Sequence, residues 1–420
     1  MKAAWRSQNN IWASLRENRA DWVPPDITYK DSGELAYWAG CTASFIIPDI
    51  AQNAMRIFKE VGVDVAYMGK DEGCCGAPMF MSGQWDAYAD VIRRNVEEIN
   101  RRGIKTLVIS CPGCWVNLNH YYRQWAKKLG LEYNVEVRHI SELIAEYIRD
   151  GRLKFKKPVK VKATWHDPCH IGRHGGIYDP PREVLQAIPG LDYAEMQHNR
   201  EDGLCCGSVL TRIKEPDTTS DAIGAIRLNE AEAAGREVIY TTCPCCEFQL
   251  RVAGSSVGSA VQVSDFTNAV VQALGYETTD SNRNVREIWA VFDKVLKQMC
   301  VEGMAGMMKE LMPEMMDAMP EMMKKPMDAM KALPDGVQDA MLSLMKPMIP
   351  KMMPRMMDAI MPKVLPDVLK YMEEKIPEMP QSMKKLLPEL LPQVMAEMMP
   401  KLLPKVLPLV IDDMLQAMKG

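Results

Sequence analysis

Ten of the twelve cysteines fall into two sets that repeat one order: a single cysteine, an adjacent pair, and a C-x-x-C motif. The sets are Cys41, Cys74, Cys75, Cys111 and Cys114, and Cys169, Cys205, Cys206, Cys243 and Cys246. Corresponding members are offset by 128, 131 and 132 residues, counted from Cys41, Cys74 and Cys111. Because thiolates bind zinc and iron–sulfur centres, the repeated pattern indicates two related metal or redox sites.

The adjacent pairs, in "EGCCGAP" and "LCCGS", argue against disulfides. Neighbouring cysteines rarely bond to each other, because their Cα atoms lie closer together than a relaxed disulfide requires. Zinc takes four protein ligands, so five cysteines per set leave one unexplained. A cluster that takes more thiolates than one cubane would use all five.

Glycines and prolines stand beside these cysteines. Four glycines flank the adjacent pairs: Gly73, Gly76, Gly203 and Gly207. They predict a turn flexible enough to aim both sulfurs inward. Pro112 and Pro244 follow the first cysteine of each C-x-x-C, a position that suits the first turn of a helix. The positive end of such a helix would favour thiolates and a negatively charged cluster.

Short apolar runs precede the cysteines and alternate with helical patterns such as "IAQNAMRIFKEVG" and "YADVIRRNVEEINRRG". The predicted strands are Leu35–Gly40, Thr106–Ser110, Val159–Trp165 and Glu237–Thr241. Strand–helix alternation predicts an α/β fold with mostly parallel sheets. Ligands of such sheets bind at the carboxyl ends of the strands, so the cysteines should converge at that edge.

Repeats and composition divide the 420 residues into five segments. They are an N-terminal extension (1–34), a first domain (35–155), a second domain (156–280), a connecting helix (281–300) and a tail (301–420). Hydrophobic and charged contents of 47% and 25% are typical of a globular protein, and a net charge of −4 without a basic run gives no sign of nucleic-acid binding. The N-terminus lacks the pattern of a secretory signal, so a cytoplasmic location is expected.

The tail is unusual because 27 of the 34 methionines and 16 of the 28 prolines lie beyond Cys300. Many prolines recur four or eight residues apart, which places them on one helical face, although an interior proline kinks a helix. One interpretation is a series of short broken helices, or disorder, stabilised by a partner. The other is an amphipathic membrane-surface segment or a Met-rich adhesive surface. Balanced charge weakens a purely electrostatic attraction to lipid.

Residues 35–280 resemble the CCG domains of the heterodisulfide reductase family. The resemblance rests on the pattern Cys-x(31–39)-Cys-Cys-x(35–36)-Cys-x-x-Cys, present twice, and on "GCTASF", "EGCCGAP", "HDPCHIGR" and "LCCGS". The chain is similar to the catalytic subunit of the soluble enzymes and to the matching catalytic part of the membrane-bound ones. The resemblance implies two tandem, similar Rossmann-like domains in a pseudo-two-fold relation, followed by a Met/Pro-rich, broken-helical tail.

The same resemblance implies that each five-cysteine set binds a noncubane [4Fe–4S] cluster. The two clusters would face each other and split a disulfide between them, which makes the chain an oxidoreductase acting on sulfur groups. The sequence lacks the C-x-x-C-x-x-C-x-x-x-C-P run of ferredoxin-like domains. Electrons are therefore expected to pass through a separate ferredoxin-like subunit with cubane clusters. A flavin subunit, and peripheral membrane contact through residues 301–420, are further candidates.

Polar residues near Cys169 are candidates for catalysis. His166 and His170 bracket this cysteine, and imidazole titrates in the range that proton delivery to a cleaved disulfide needs. A structural role is the alternative for both. Arg173 and His174 are candidates for holding an anionic substrate. The predicted catalytic residues are therefore His166, His170 and Arg173.

The remaining cysteines and two further histidines are not expected to bind the metal or to take part in catalysis. Cys245 lies inside "CPCC", but Gly113 occupies the matching place in the first half, so Cys245 is expected to be a spare thiol. Cys300 lies in a helical pattern and is predicted to be a buried or free thiol. His120 and His139 look like ordinary helix and strand residues.

Two other functions stay open at this stage. One is a non-catalytic electron-transfer subunit that links a soluble redox partner to a membrane quinone or haem subunit. The other is a structural zinc scaffold whose tail recruits partners. Two complete motifs favour disulfide chemistry over a relay, and five cysteines per set disfavour zinc.

Overall fold

The computed structural model of the chain describes residues 2–207, 218–278 and 297–419, together with 287, 290, 291, 294 and 295. The chain divides into two compact units, Met1–Trp289 and Ala290–Gly420. The first unit carries both cysteine sets. The helix predicted over 281–300 lies for the most part outside the described residues.

Each half of the first unit contains a four-stranded parallel sheet, which confirms the predicted α/β fold with two tandem domains. The first sheet has β1 (Leu35–Trp38), β2 (Ala66–Tyr67), β3 (Thr106–Ile109) and β4 (Glu136–His139), in the order β2-β1-β3-β4. The second has β5 (Lys162–Trp165), β6 (Asp192–Tyr193), β7 (Val238–Thr241) and β8 (Gln262–Asp265), in the order β6-β5-β7-β8. The strand order reverses between β1 and β3, and again between β5 and β7, so the crevice at their carboxyl ends is the expected ligand site.

Helices connect the strands, as parallel pairing requires. In the N-terminal extension and the first half they are Lys2–Gln8, Arg16–Ala20 (3₁₀), Cys41–Phe45, Pro48–Glu60, Gly69–Asp71 (3₁₀), Ala77–Met81, Trp85–Arg101, Pro112–Val116, Asn117–Tyr121 (π), Tyr122–Leu129 and Ile140–Arg149. In the second half they are Asp179–Ala187, Arg200–Asp202 (3₁₀), Thr218–Ala233, Pro244–Val257 and Phe266–Leu274.

The two halves pack through equivalent pairs of helices. Pro48–Glu60, which follows β1, packs on Phe266–Leu274, which follows β8. Asp179–Ala187, which follows β5, packs on Ile140–Arg149, which follows β4. Exchanging the halves converts one contact into the other, as a pseudo-two-fold relation demands. One continuous hydrophobic core contains residues of both halves.

A buried polar contact ties the first of these helix pairs together. Asn53 Nδ2 donates to Asn268 Oδ1 at 2.7 Å, and Asn268 Nδ2 donates to Asp49 Oδ2 at 2.9 Å. Asn268→Ala would leave buried groups with fewer partners, so we expect the free energy of unfolding to fall by about 2 kcal/mol. Gln272→Ala, at an exposed position of the same helix, is the matched control. Denaturant unfolding measures both, and equal stabilities of the two variants would contradict the expectation.

Asp265 caps the helix Phe266–Leu274 through Oδ1, which accepts a hydrogen bond from the Thr267 N–H at 2.9 Å. The carboxyl group is wholly buried, and burial raises its pKa to about 7. An aspartate in an unfolded chain titrates at about pH 4. Between about pH 4 and 7 the folded chain therefore keeps a proton on Asp265 that the unfolded chain has lost. Its contribution to stability therefore falls as the pH rises through that window.

Asp265→Asn should consequently flatten part of the pH dependence of stability. The free energy of unfolding of the wild type should decrease more than that of the variant between about pH 5 and about pH 8. Denaturant titrations at the two pH values measure the difference. A variant with the same pH dependence as the wild type would show that Asp265 does not titrate in this range.

The second unit is helical and has its own core. Its helices are Val301–Glu310, Met312–Asp317, Glu321–Lys331, Asp335–Met345, Ile349–Lys375 and Gln381–Lys419. Sixteen methionines lie in one buried cluster with leucines, isoleucines and valines, so methionine here fills a core. No helix among the described residues is both long enough and apolar enough to span a bilayer. Contact with a membrane or a partner stays a prediction.

Prolines do not end the last helix, Gln381–Lys419, although interior proline is expected to break a helix. Five of them lie inside it: Pro388, Pro392, Pro400, Pro404 and Pro408. All five are exposed, whereas Leu386, Leu390 and Leu403 are buried. The prediction that proline spacing marks one helical face is thus correct. On that face water can hydrate the carbonyl groups that lose their N–H partners, which reduces the cost of each proline.

Candidate metal centre

The five cysteines of the first set come from loops that follow three adjacent strands. Cys41 begins a short helix after β1, Cys74 and Cys75 lie beyond β2, and Cys111 precedes the helix that follows β3. All five side chains are buried. Their thiols contact one another in the series Cys41, Cys74, Cys75, Cys114, Cys111. The convergence expected from the sequence therefore occurs.

The second set converges in the same way but is more open to solvent. The thiols of Cys205, Cys206, Cys246 and Cys243 contact one another in that order, and Cys169 lies close enough to Cys205 and Cys246 to interact electrostatically. Cys205 is exposed and Cys169 is half-buried. The second site is therefore the more accessible of the two.

The two sets meet through one thiol pair. Cys111 of the first half contacts Cys243 of the second, and each cysteine occupies the N-cap position of its helix. All twelve thiols are free. An unbroken series of sulfur contacts therefore runs from Cys41 in one domain to Cys205 in the other.

The fold requires glycine beside the adjacent cysteine pairs for two different physical reasons. Gly76 and Gly207 adopt φ values of 84° and 83°, in the left-handed region that favours glycine. Gly73 does not have a positive φ. A Cβ atom there would lie 2.3 Å from Asn95 Oδ1, so close approach of a side chain excludes larger residues. The Asn95 amide in turn donates to the Cys74 carbonyl at 2.7 Å, which fixes the turn.

A buried histidine joins the two C-x-x-C loops and was not recognised from sequence. His139 lies at the end of β4, where its Nε2 is 3.1 Å from the Ser110 carbonyl and 3.3 Å from Thr242 Oγ1. Ser110 and Thr242 directly precede Cys111 and Cys243. Burial lowers the pKa of His139 to about 4, so it is a neutral structural bridge. Its sequence context, the end of an ordinary amphipathic strand, gives no signal of this contact.

The N-terminal extension supplies a buried cation to the first site. The Arg19 side chain is fully buried and pairs with Glu72, which is also fully buried, at 2.7 Å. Arg19 Nη2 lies 3.5 Å from Cys41 Sγ. The Asn9 carbonyl accepts a hydrogen bond of 2.8 Å from the Cys74 N–H. The extension, which the sequence left without a role, is thus part of this site.

Glu72 links this cation to the loop that carries Cys41. Its carboxylate accepts hydrogen bonds of 2.8 Å from the N–H groups of Ala39 and Gly40, directly before the cysteine. Burial raises the pKa of Glu72, while Arg19 and the two N–H groups favour its charged form. Because both Arg19 and Glu72 are buried, their ion pair fixes the N-terminal extension against the loop that carries Cys41.

At the second site, a buried histidine lies close to the thiols and a buried arginine donates a hydrogen bond to it. Donor atoms of His166, Cys206 and Cys246 lie within 4.8 Å of one another. Arg227 Nε donates to His166 Nδ1 at 3.3 Å, and both side chains are buried. Nδ1 is therefore occupied as the acceptor of this bond. Proton delivery by His166, predicted from sequence, would therefore have to use Nε2.

His170 and Arg173 occupy different positions around Cys169. His170 is half-buried, and its Nδ1 lies 3.7 Å from the place where a Cβ atom of Gly113 would be, over the C-x-x-C of the opposite domain. Burial lowers its pKa. Arg173 is exposed, and its Nη1 donates to the Gly203 carbonyl at 3.0 Å, beside the second adjacent pair. His170 is thus the predicted catalytic residue that lies between the two sets.

Cys245 and Cys300 do not extend the thiol series. Cys245 is half-buried and contacts only Cys243 among the cysteines for which contacts are described, whereas Cys246 contacts both Cys206 and Cys243. This arrangement favours Cys246 as the ligand. Cys300 caps the helix Val301–Glu310 by accepting a hydrogen bond from the Gly303 N–H at 3.4 Å.

The electrostatics of the thiols fit a metal cluster. Hydrogen bonds that Cys41, Cys114 and Cys243 donate to neighbouring sulfurs, and then burial, raise the pKa of these three thiols well above the ordinary value. The pKa of Cys205 is lowered to about 6, chiefly by the Cys206 thiol. Ten crowded sulfurs cannot all ionise without positive charge among them. Iron supplies such charge, and soft thiolates are its ligands in iron–sulfur proteins.

Comparison with known proteins identifies both halves. The sequence profile of the CCG cysteine-rich domain matches residues 35–119 and again residues 163–251. One subunit of the dihydromethanophenazine:CoB–CoM heterodisulfide reductase of Methanosarcina barkeri is 32% identical over 275 residues. That alignment covers 64% of this chain and 66% of the relative, so the chain spans slightly less than two thirds of the relative's length.

Other relatives carry different names. One subunit of the fumarate reductase (CoM/CoB) of Methanothermobacter marburgensis is 30% identical, over 52% of this chain and 41% of the relative. An EtfAB:quinone oxidoreductase of Syntrophomonas wolfei is 32% identical, over 56% of this chain and 35% of the relative. Both halves are thus CCG cysteine-rich domains, and the chain is similar to heterodisulfide reductase and fumarate reductase (CoM/CoB) subunits.

Proposed function

We propose that the chain is an iron–sulfur oxidoreductase subunit that reduces or forms a disulfide at two noncubane [4Fe–4S] clusters, one held by each five-cysteine set. The contact between Cys111 and Cys243 carries this proposal, because it brings the two sets to one place. When bound, the clusters would supply single electrons and iron atoms that accept sulfur. Reduction of one disulfide takes two electrons and two protons and releases two thiols.

The protein's own residues would bind the substrate and move protons. His170 lies between the domains and is the group we assign to proton transfer with a leaving or entering thiol. His166 would be held against the second site by the hydrogen bond that its Nδ1 accepts from Arg227. Arg173 would stabilise the Gly203 loop and offer its remaining N–H groups to an anionic part of the substrate.

Electrons would come from, or go to, a different subunit. The 420 residues contain no ferredoxin-like C-x-x-C-x-x-C-x-x-x-C-P run. The relatives are named as subunits of reductases, which supports assembly with partners. We propose a ferredoxin-like subunit with cubane clusters as the direct partner.

An assay of disulfide cleavage tests the proposal. The anaerobically purified full chain, reduced by a dye, is mixed with the CoB–CoM heterodisulfide, the compound in the relatives' names. We expect two thiols for every two electrons consumed, and an EPR signal that changes only when substrate is added. Reduced clusters that neither release thiol nor change their signal would contradict the proposal.

The name of the Syntrophomonas relative favours a second candidate, a relay that passes electrons toward a quinone. A relay needs no iron open to sulfur. Fast reoxidation of the reduced chain by a quinone, with no response to the heterodisulfide, would support this second candidate instead.

A further inference from the structure

Each cysteine set has one fully buried arginine beside it. Arg19 reaches the first site from the N-terminal extension, and Arg227 reaches the second from the helix Thr218–Ala233. Counting from the repeat, the first-half counterpart of Arg227 is Asn95, so the two arginines are not copies of each other. The duplication that produced the two sites therefore does not explain the two cations.

The two arginines differ in how completely their charge is neutralised. Arg19 is paired with Glu72, whose side chain is fully buried and accepts two backbone hydrogen bonds. Arg227 pairs with Glu230, which is partly exposed and also contacts His198. Each guanidinium also has one buried N–H group without a hydrogen-bond partner among the described residues, Arg19 Nε and Arg227 Nη2, so the difference lies in the carboxylates. Because Glu230 is partly hydrated and shared with His198, it compensates Arg227 less completely than the buried Glu72 compensates Arg19, and more positive charge remains at the second site.

Each arginine interacts electrostatically with cysteines of its own site. Arg19 lies within hydrogen-bonding distance of Cys41, and the two favour each other's charged forms. Arg227 interacts electrostatically with Cys206 and Cys246. Positive charge close to a cluster stabilises its reduced, more negative state, and so does exposure to water. Both effects act in the same direction at the second site, where Cys205 is exposed.

We propose that Arg19 and Arg227 are positioning residues that make the two cysteine sites electrochemically unequal, with Arg227 giving the second site the higher reduction potential. This inference rests on the cluster part of the proposed function. At equilibrium an electron would then reside at the second, more accessible site. Electrons would then pass from the first site, which the N-terminal extension covers, to the second.

A redox titration of the anaerobic full chain, followed by EPR, tests the proposal. Arg227→Met should lower the midpoint potential of the higher-potential signal, and Arg227→Lys should restore most of the loss. Glu230→Gln, which removes the compensating negative charge, should shift the same signal upward. The paired variant Arg19→Met with Glu72→Gln removes both charges of a neutral pair, so it should leave that signal in place.

Potentials are compared only among preparations with the iron content of the wild type. Unchanged potentials in both Arg227→Met and Glu230→Gln would overturn the proposal. Equal shifts from Arg227→Met and Arg227→Lys would also overturn it, because charge would then not be the cause. A wild-type chain without iron and sulfide would instead refute the proposed function, so the two failures are distinguishable.

Discussion

Replacing Cys206 with serine should remove one of the two clusters and abolish disulfide cleavage. Cys206 is buried and contacts both Cys205 and Cys246, so it lies in the middle of the second thiol series. A serine hydroxyl is a harder and less acidic ligand than a thiol and does not replace it on iron. We expect iron and acid-labile sulfide to fall to about half of the wild-type content. Thiol release should fall to the background rate.

Cys245→Ser is the matched control for this change. Cys245 belongs to the same loop but contacts only Cys243 among the cysteines for which contacts are described, and Gly113 takes its place in the first half. The control should keep full iron, full sulfide and full turnover. A Cys206→Ser chain that retains all its iron, or a Cys245→Ser chain that loses half, would show that the ligand set is assigned wrongly.

His170→Gln should slow disulfide cleavage while leaving both clusters in place. His170 lies over the C-x-x-C of the opposite domain, close to Gly113, and glutamine has similar size but cannot carry the proton. General acid–base groups contribute about 10²–10⁴-fold to rates, so we expect turnover to fall by about 100-fold. Iron content and the resting EPR spectrum should not change, since the imidazole is not among the proposed ligands.

His174→Gln provides the comparison for His170. His174 is exposed, and its ring centroid lies 5.7 Å from that of His170, so it tests whether any nearby imidazole matters. We expect less than about a twofold change in turnover for this variant. Equal effects of the two substitutions would refute the role of His170 as the specific proton-transfer group.

The sequence predicts the fold and the location of the cysteines because both depend on regular patterns. Apolar runs followed by Cys41, Cys111, Cys169 and Cys243 identify the strands whose carboxyl ends meet at each site. The observed strands begin and end within a few residues of the predicted ones. The parallel sheets then bring the thiols together without any further information.

Contacts between distant segments are what the sequence does not reveal. Arg19 and Glu72 look like ordinary charged residues, and only the fold shows that they form a buried pair beside Cys41. His139 and Arg227 are similar cases, since burial gives each its role. Such contacts carry no local pattern, because their partners lie far away in the chain.

The tail shows a different limit of sequence reasoning. Within the described residues the tail consists of six separate helices, as the broken-helix prediction expects, yet its last helix, Gln381–Lys419, continues through five exposed prolines. The expectation that an interior proline interrupts a helix is wrong for this segment, because it treats each proline separately from the packing of the whole helix. When all of them occupy the face exposed to water, the methionine and leucine face still packs into a core, and that packing favours the continuous helix.

The content of iron and acid-labile sulfide in the anaerobically purified chain tests the central claim most directly. If each five-cysteine set holds a [4Fe–4S] cluster, the chain should contain about eight iron and about eight sulfide per polypeptide, and no stoichiometric zinc. A chain that contains zinc but no acid-labile sulfide would contradict the claim.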